Sequence, residues 1–431
     1  MKFLARLALV GSVVWSVASA VRASDASIAT QWNATVLEVA EAEDRFLTLK
    51  GLRTATLLHL AMHDALNGLD GRYQPFIRHE DDTRTSSAAV AVHAAFAIAV
   101  SQYPDQTSRF ESLRAQQLAS LEASTPDDSI ERSGASIARS ILHARDGDGW
   151  NGDVEYQWHP MAPGVYAEFN EHSGTPDGFI FGTGWANARG FGFDAPKDFR
   201  VPPPPAIDSN AYTVAFDEVK ALGRFQSITR TADETHIALW WKEFAENSHN
   251  RLARDLIERE SLDLVDTTRL LALLNMSIYD AYVASFENKF HYNHWRPYTA
   301  IRWADHDGND DTTAEPTWNN THRHTYAFPS YPSAHGTACA AAMTALESHF
   351  GPAYAFTMRI PAVDIAGPLS EKIAMQPSTR SFGRFADAAD QCGMSRVYLG
   401  IHFRYDAVEG VALGRRVGKY LLTQVLKPTG E

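Results

Sequence analysis

The chain has 431 residues, 45% of them hydrophobic, enough for one large core or two that merge, and too apolar for a disordered polymer. Its formal net charge of −13 argues against a nucleic-acid binder, so an anionic substrate would need a local cationic pocket. With only two cysteines, Cys339 and Cys392, it is neither a disulfide scaffold nor a cysteine-rich zinc site.

Lys2 and Arg6 precede an apolar stretch from Leu7 to Val17, and Ala18-Ser19-Ala20 supplies small residues for cleavage. Residues 1–20 therefore read as an export signal cut near Ala20, which predicts a secreted or periplasmic protein. No later run of about 18 uncharged apolar residues follows, so no membrane partner is expected. Helical periodicity predicts helices over Ala55–Leu66, Ala88–Ala99, Arg109–Leu121 and Ile130–Ala144, within a first helical half spanning 25–145. Residues 146–210 turn to Gly, Pro, Asp and aromatics, ending in Pro202–Pro205, and read as an ordered connection. The second half, 211–431, carries helical patterns over Glu234–Ala245, Thr267–Ser285, Gly336–Phe350 and Ala407–Val425. Strand periodicity is scarce, so the fold class is all-α, a pair of antiparallel helix bundles. A weak internal echo sets Leu57-Leu58 and Asp64-Ala65 against Leu273-Leu274 and Asp280-Ala281, each Asp on a helix amid apolar neighbours. A buried carboxylate needs a partner, and Asp280, nine residues before Lys289, is expected to orient His335.

Three segments of the second half combine charge with acid–base chemistry. In Lys289–Pro297, Lys289 and Arg296 stand about two helical turns apart and can project to one side, Pro297 ending or kinking the helix. In Tyr331–Gly336, a small-residue helix follows Ser333, Ala334 and His335, and the amides of a helix N-terminus attract an anion. In Ser395–Asp406, Arg396 is followed by His402 and Asp406, four apart on a helix face, where the carboxylate fixes the imidazole's tautomer. Taken singly, each has an ordinary explanation: a surface ion pair, a helix cap, or an i,i+4 pair.

Together, Lys-x6-Arg-Pro, Pro-Ser-x-His and Ser-Arg-x5-His-x3-Asp resemble the signature of the type 2 phosphatidic acid phosphatase and vanadium-dependent haloperoxidase superfamily. One position departs: Ala334 stands where the family usually has Gly, which is harmless only if its φ is negative. The resemblance implies an oxyanion cradled by Lys289, Arg296, Ser333, Ala334 and Arg396. In a haloperoxidase, vanadate is bound at His402, His335 is the acid–base group, Asp406 supports His402, and the partners are hydrogen peroxide, halide and an organic acceptor. In a soluble acid phosphatase there is no metal cofactor, His402 forms a phosphohistidine, and the substrate is a phosphate ester. A silent oxyanion-binding protein is the third reading. The wording around His402 and at His294-Trp295-Arg296-Pro297 resembles the haloperoxidase branch. Cys339 lies about a turn after His335 and Cys392 about a turn before Arg396, so the two are expected to converge, as a bridge or as buried thiols. His322 and His324, just before the second motif, are candidates for the entrance. The acidic clusters at Asp146–Asp148 and Asp305–Asp311 lack EF-hand spacing and read as polar turns.

Overall fold

The computed structural model describes residues 11–44, 49–77, 88–121, 128–167, 180–365 and 371–430. Half of the expected export signal, residues 1–10, lies outside the described residues, and 11–20 open the first helix. Among the described residues, no helix is long and apolar enough to cross a membrane.

The first half contributes α1 (Gly11–Asp44), α2 (Leu49–Asp70), α3 (Ala88–Gln102), α4 (Thr107–Ser120) and α5 (Asp128–Ala144). The second contributes α6 (Asn210–Leu222), α7 (Ala232–Trp240), α8 (Ala245–Glu260), α9 (Leu264–Tyr292), α10 (Pro297–Arg302), α11 (Ala334–Phe350), α12 (Phe385–Tyr398) and α13 (Arg404–Gln424). The expected pair of antiparallel bundles is present, with α2 packed on α1, α3 and α5 in one and α9, α11, α12 and α13 in the other. Because α2 also packs along α9, one continuous apolar core runs through both, from Trp32 and Leu57 to Ile278 and Met343. The path between His335 and Arg396 carries what helical periodicity missed, two short antiparallel ribbons. In one, β1 (Phe356–Arg359) pairs with β4 (Thr379–Phe382); in the other, β2 (Val363–Asp364) pairs with β3 (Lys372–Ile373).

The helix expected over Glu234–Ala245 is two helices. Thr231 and Glu234 form a capping box at the start of α7, which stops at Trp240, and α8 begins at Ala245. Trp240 and Trp241 are core residues, their rings edge to face at 4.8 Å.

The echo between the halves has a physical counterpart. Asp64 on α2 accepts the consecutive amides of Phe76 and Ile77 at 2.7 and 2.9 Å. Asp280 on α9 accepts those of Phe191 and Gly192 at 2.6 and 2.8 Å. Each long helix thus uses one buried carboxylate to pin a passing chain segment. Asp280 therefore does not orient His335, because both its oxygens are committed to the 191–192 backbone. The strap held by Asp64 is fixed elsewhere as well: Gln74 N donates to Lys427 O at 2.7 Å, Thr429 N to Arg72 O at 2.9 Å, and Arg72 pairs with Asp263 at the start of α9 at 2.9 Å.

The acidic turns satisfy themselves. Asp148 is held by Arg53 and Arg145 at 2.8 and 3.0 Å, and Asp307 accepts Asn309 N and Thr312 Oγ1 at 2.8 and 2.7 Å.

The packing of α13 on α11 sets the site. Glycines 410, 414 and 418 form a stripe at i, i+4, i+8, and it lies against Ser333, Thr337 and Ala341, which have the same spacing. A Cβ at Gly410 would lie 2.5 Å from Ser333 O and one at Gly418 3.2 Å from Ala341 O, while one at Gly414 would overlap the Thr337 carbonyl. Only a bare backbone lets the two helices approach this closely.

Candidate active site

Three chain turns deliver the charged groups. Lys289 occupies the last turn of α9, which ends at Tyr292, and Asn293 follows with a left-handed φ of 48°. Arg296 lies beyond the helix, as N-cap of α10, with Pro297 in its first turn. The expected two-turn spacing on a single helix is thus replaced by a helix end, and Pro297 starts a helix rather than ending one. The cations still converge, because consecutive carbonyls collect them: Arg296 Nε donates to Phe328 O at 3.0 Å, and Lys289 Nζ to Pro329 O and Ser330 O at 2.9 and 2.7 Å. The Phe328 ring covers both, 5.2 Å from Lys289 Nζ and 4.9 Å from Arg296 Cζ.

Ser333 is the N-cap of α11, its Oγ accepting Gly336 N at 3.2 Å. That leaves the amides of Ala334 and His335 at the helix start, where no intrahelical acceptor exists. Ala334 is not among the described non-glycine residues with positive φ, so it replaces the family's glycine without backbone strain. Ala334, His335, Arg396, His402 and Phe328 line a cavity of about 40 Å³, closed by Phe244, Tyr282 and Tyr326. Allowing about 10–15 Å³ per water-sized centre, this is the scale of one small oxyanion. Lys289, Arg296 and Ser333 are buried behind that wall.

His402 and Asp406 meet as expected, Nδ1 to Oδ2 at 2.8 Å, but not as a pair on a helix face. His402 precedes α13; Asp406 sits in its first turn, and the same oxygen accepts Phe403 N at 3.2 Å. Ser330 donates its hydroxyl to that oxygen and lies 3.3 Å from His402 Nδ1. With Nδ1–H given to Asp406, the Nε2 lone pair is exposed to the cations, and Arg296 Nη1 donates to it at 3.2 Å.

Arg396 donates from Nη2 to Trp241 O at 2.6 Å and from Nε to Ser395 Oγ at 3.0 Å. The Trp241 carbonyl also hydrogen-bonds His335, filling the orienting role expected of Asp280. It is free to do so because α7 has ended one residue earlier.

Burial lowers Arg296 and Arg396 to about 10, so both stay cationic at neutral pH. Burial, then the neighbouring Arg296, pushes Lys289 well below the usual ammonium range. Burial, reinforced by the cations, holds His402 and His335 neutral. Burial lifts the Asp406 carboxyl to about 7, against the pull of the Ser330 hydroxyl, Lys289 and Arg296. Arg296 Nη2 and His335 Nε2 are buried with no hydrogen-bond partner. Two guanidinium groups and Lys289 around one carboxylate, with an unpaired Arg296 N–H and an unpaired His335 nitrogen among them, fit a multiply charged tetrahedral oxyanion, which would accept the Arg296 N–H and draw Lys289 back toward its usual range.

Cys339 and Cys392 form a disulfide with Cα atoms 6.5 Å apart, tying α11 to α12 beside His335. Ser330, Trp241 and the aromatic wall were not singled out from sequence. Ser330 lies one residue before the Tyr331–Gly336 segment; a main-chain carbonyl such as that of Trp241 leaves no residue signature.

Comparison with known proteins agrees with this geometry. The family model of the VCPO second helical-bundle domain matches residues 269–430, which contain every charged group of the site. A vanadium chloroperoxidase of Curvularia inaequalis is 23% identical over a stretch covering 47% of this chain and 42% of that protein, so the match spans under half of the curated relative. A bacterial vanadium-dependent iodoperoxidase superposes with TM-score 0.72 at 20% identity, covering 95% of this chain and 98% of that one. An apo-type bacterial vanadium-dependent chloroperoxidase superposes with TM-score 0.64 at 16% identity, covering 87% and 93%.

Proposed function

We propose that this chain, which has the fold of the vanadium haloperoxidases and carries their second helical-bundle domain, oxidises halide with hydrogen peroxide at a vanadate held by His402. The observation that supports this most directly is the buried excess of positive charge around Arg296 Nη2 and His335 Nε2, neither of which has a protein partner. His402 Nε2 is the ligand nitrogen, its lone pair presented because Asp406 and Ser330 fix the other side of the ring. Lys289, Arg296 and Arg396 balance the oxyanion's charge, and Ser333 with the amides of Ala334 and His335 holds its oxygens.

When bound, vanadate supplies a Lewis-acidic centre that activates peroxide toward halide. The chain's own groups then manage protons and water. His335, neutral and turned by the Trp241 carbonyl, has Nε2 left to take a proton from hydrogen peroxide and return it to a hydroxide, which leaves as water. Phe244, Tyr282, Tyr326 and Phe328 exclude bulk water, which strengthens every charge interaction inside. Halide, peroxide and a proton give hypohalous acid and water, and the hypohalous acid passes to an organic acceptor.

Export is part of the proposal, supported by the leader pattern before Ala20 and by a disulfide, a bond that persists in oxidising compartments.

The test is halide oxidation by metal-stripped protein with and without orthovanadate, using chloride, bromide and iodide, with phosphate-ester hydrolysis in parallel. Peroxide- and vanadate-dependent halide oxidation is expected, abolished in His402→Ala while oxyanion binding persists. Phosphate-ester turnover that vanadate inhibits, with a phosphohistidine trapped at His402 and no halide oxidation, would replace this reading with the phosphatase one.

A further inference from the structure

Beside the oxyanion cavity lies a second, larger cleft of about 190 Å³ between α1, α2, the start of α8 and the β2–β3 ribbon. Phe244 and Tyr326 line both, so a molecule in the cleft is one side chain away from the site of oxidation. At the floor of the cleft stands His322, fully buried, with both ring nitrogens lacking a hydrogen-bond partner. Its ring stacks on Tyr326 at 5.3 Å. A buried imidazole with two unsatisfied nitrogens is costly unless something outside the chain completes it. Asp364 Oδ1, also on the lining, is likewise buried without a partner.

The remaining charges of the cleft are matched within the protein. Lys372 pairs with Glu41 at 2.7 Å, Arg251 with Glu243 at 2.9 Å, Lys242 Nζ donates to the Asp364 carbonyl, and Tyr282 Oη donates to Glu246 at 3.1 Å. Unlike the neighbouring cavity, the cleft has no excess cation for an anionic ligand. What it offers is an aromatic wall and unsatisfied polar atoms, in a volume below the ~300 Å³ of drug-sized sites.

We propose that this cleft binds a neutral phenol, seated against Tyr326 and Phe244 with its hydroxyl on His322, and that this phenol is the halogen acceptor. A phenolic hydroxyl both donates and accepts, so it can pair with one ring nitrogen of His322 whichever tautomer is present. Its role as acceptor rests on the halide-oxidising reading; its binding does not. In the transfer, an electron-rich ring carbon bonds to the halogen of hypohalous acid, the O–X bond breaks, and the ring C–H proton joins the departing hydroxide as water.

The binding arm uses metal-stripped protein and saturation-transfer NMR or calorimetry with phenol, against benzoate and cyclohexanol. Phenol is expected to bind and the other two to bind much more weakly. His322→Phe, which keeps a ring and removes both nitrogens, should weaken phenol by roughly 3- to 10-fold, the worth of one hydrogen bond. Ala362→Trp, which fills the cleft without touching His322, should abolish binding. In the activity arm with vanadate, peroxide and bromide, both variants should form tribromide at wild-type rates, while KM for phenol rises and regioselectivity is lost. Phenol binding that is absent from the wild type, unchanged in Ala362→Trp, or matched by benzoate would overturn the proposal. Failure of the wild type to oxidise halide, with phenol binding intact and cleft-dependent, would instead sink the haloperoxidase reading and leave the binding site standing.

Discussion

Removing the Cys339–Cys392 bridge separates two ways in which α11 and α12 are held. The bridged residues are 53 apart in sequence. Closing a loop of that size in the unfolded chain removes about 14 cal/mol/K of entropy, or about 4 kcal/mol at 25 °C. Unfolding a chain of 431 residues releases roughly 0.9 kcal/mol/K at the midpoint, so the same loss lowers Tm by about 5 °C. The site should suffer less. α11 is also locked to α13 through the glycine stripe, and Arg396 is anchored on Trp241 O and Ser395 Oγ. The Cys339→Ala/Cys392→Ala double variant should therefore lose about 4 kcal/mol in urea titration while its orthovanadate affinity falls by less than about fivefold. Urea curves that superpose on the oxidised wild type would refute the loop-entropy reasoning. The full stability loss with affinity down by about a hundredfold would refute independent anchoring and make the bridge itself the positioner of His335 and Arg396.

Arg396→Ala should weaken orthovanadate binding by roughly 2–4 kcal/mol, because it strips a charge-assisted partner from a buried anion; calorimetric titration reads this directly. Asp280→Asn should cost about 2–4 kcal/mol, since an amide group must present its NH₂ toward one of two backbone amides, and hydrogen exchange at Phe191 and Gly192 should accelerate. Gly414→Ala should destabilise by about 3 kcal/mol or more, as its methyl meets the Thr337 carbonyl; a thermal melt within a degree of wild type would contradict the packing argument. His249 is buried and lowered to about 4, against 6.5 when unfolded. Its neutral form contributes stability that is complete above the unfolded value and is lost as pH falls through 6.5 toward 4. Between pH 7 and 5, wild type should lose about 2 kcal/mol more than His249→Phe in matched urea titrations.

The charged residues of the site were legible because the demand they meet is local and costly: a polyanion in an acidic protein needs several cations, and those cations recur in fixed order. The helices that carry them were less so. α12 has small, weakly apolar inward residues such as Ala388 and Cys392, and α8 reads as mostly charged, so neither gave a strong period. The break after Trp240 has no proline or glycine to announce it, yet it creates the carbonyl shared by Arg396 and His335. Asp280 shows the limit of such reading. Its apolar neighbours declared that a partner must exist; the partner was backbone from a segment 88 residues away, which no pairwise pattern of side chains reveals.

The strap at residues 71–77 bears on how the molecule can be cut. It is pinned by Asp64 from the first half, by Arg72 to the start of α9, and by a short ladder to Lys427 and Thr429 near the far end of the chain. Trimming the last few residues, or splitting the chain at its Gly/Pro-rich join to express the halves apart, unpicks the same seam from opposite sides. The two bundles are therefore not modules for exchange, and a purification tag sits more safely beyond Glu431 on a spacer than in place of the tail.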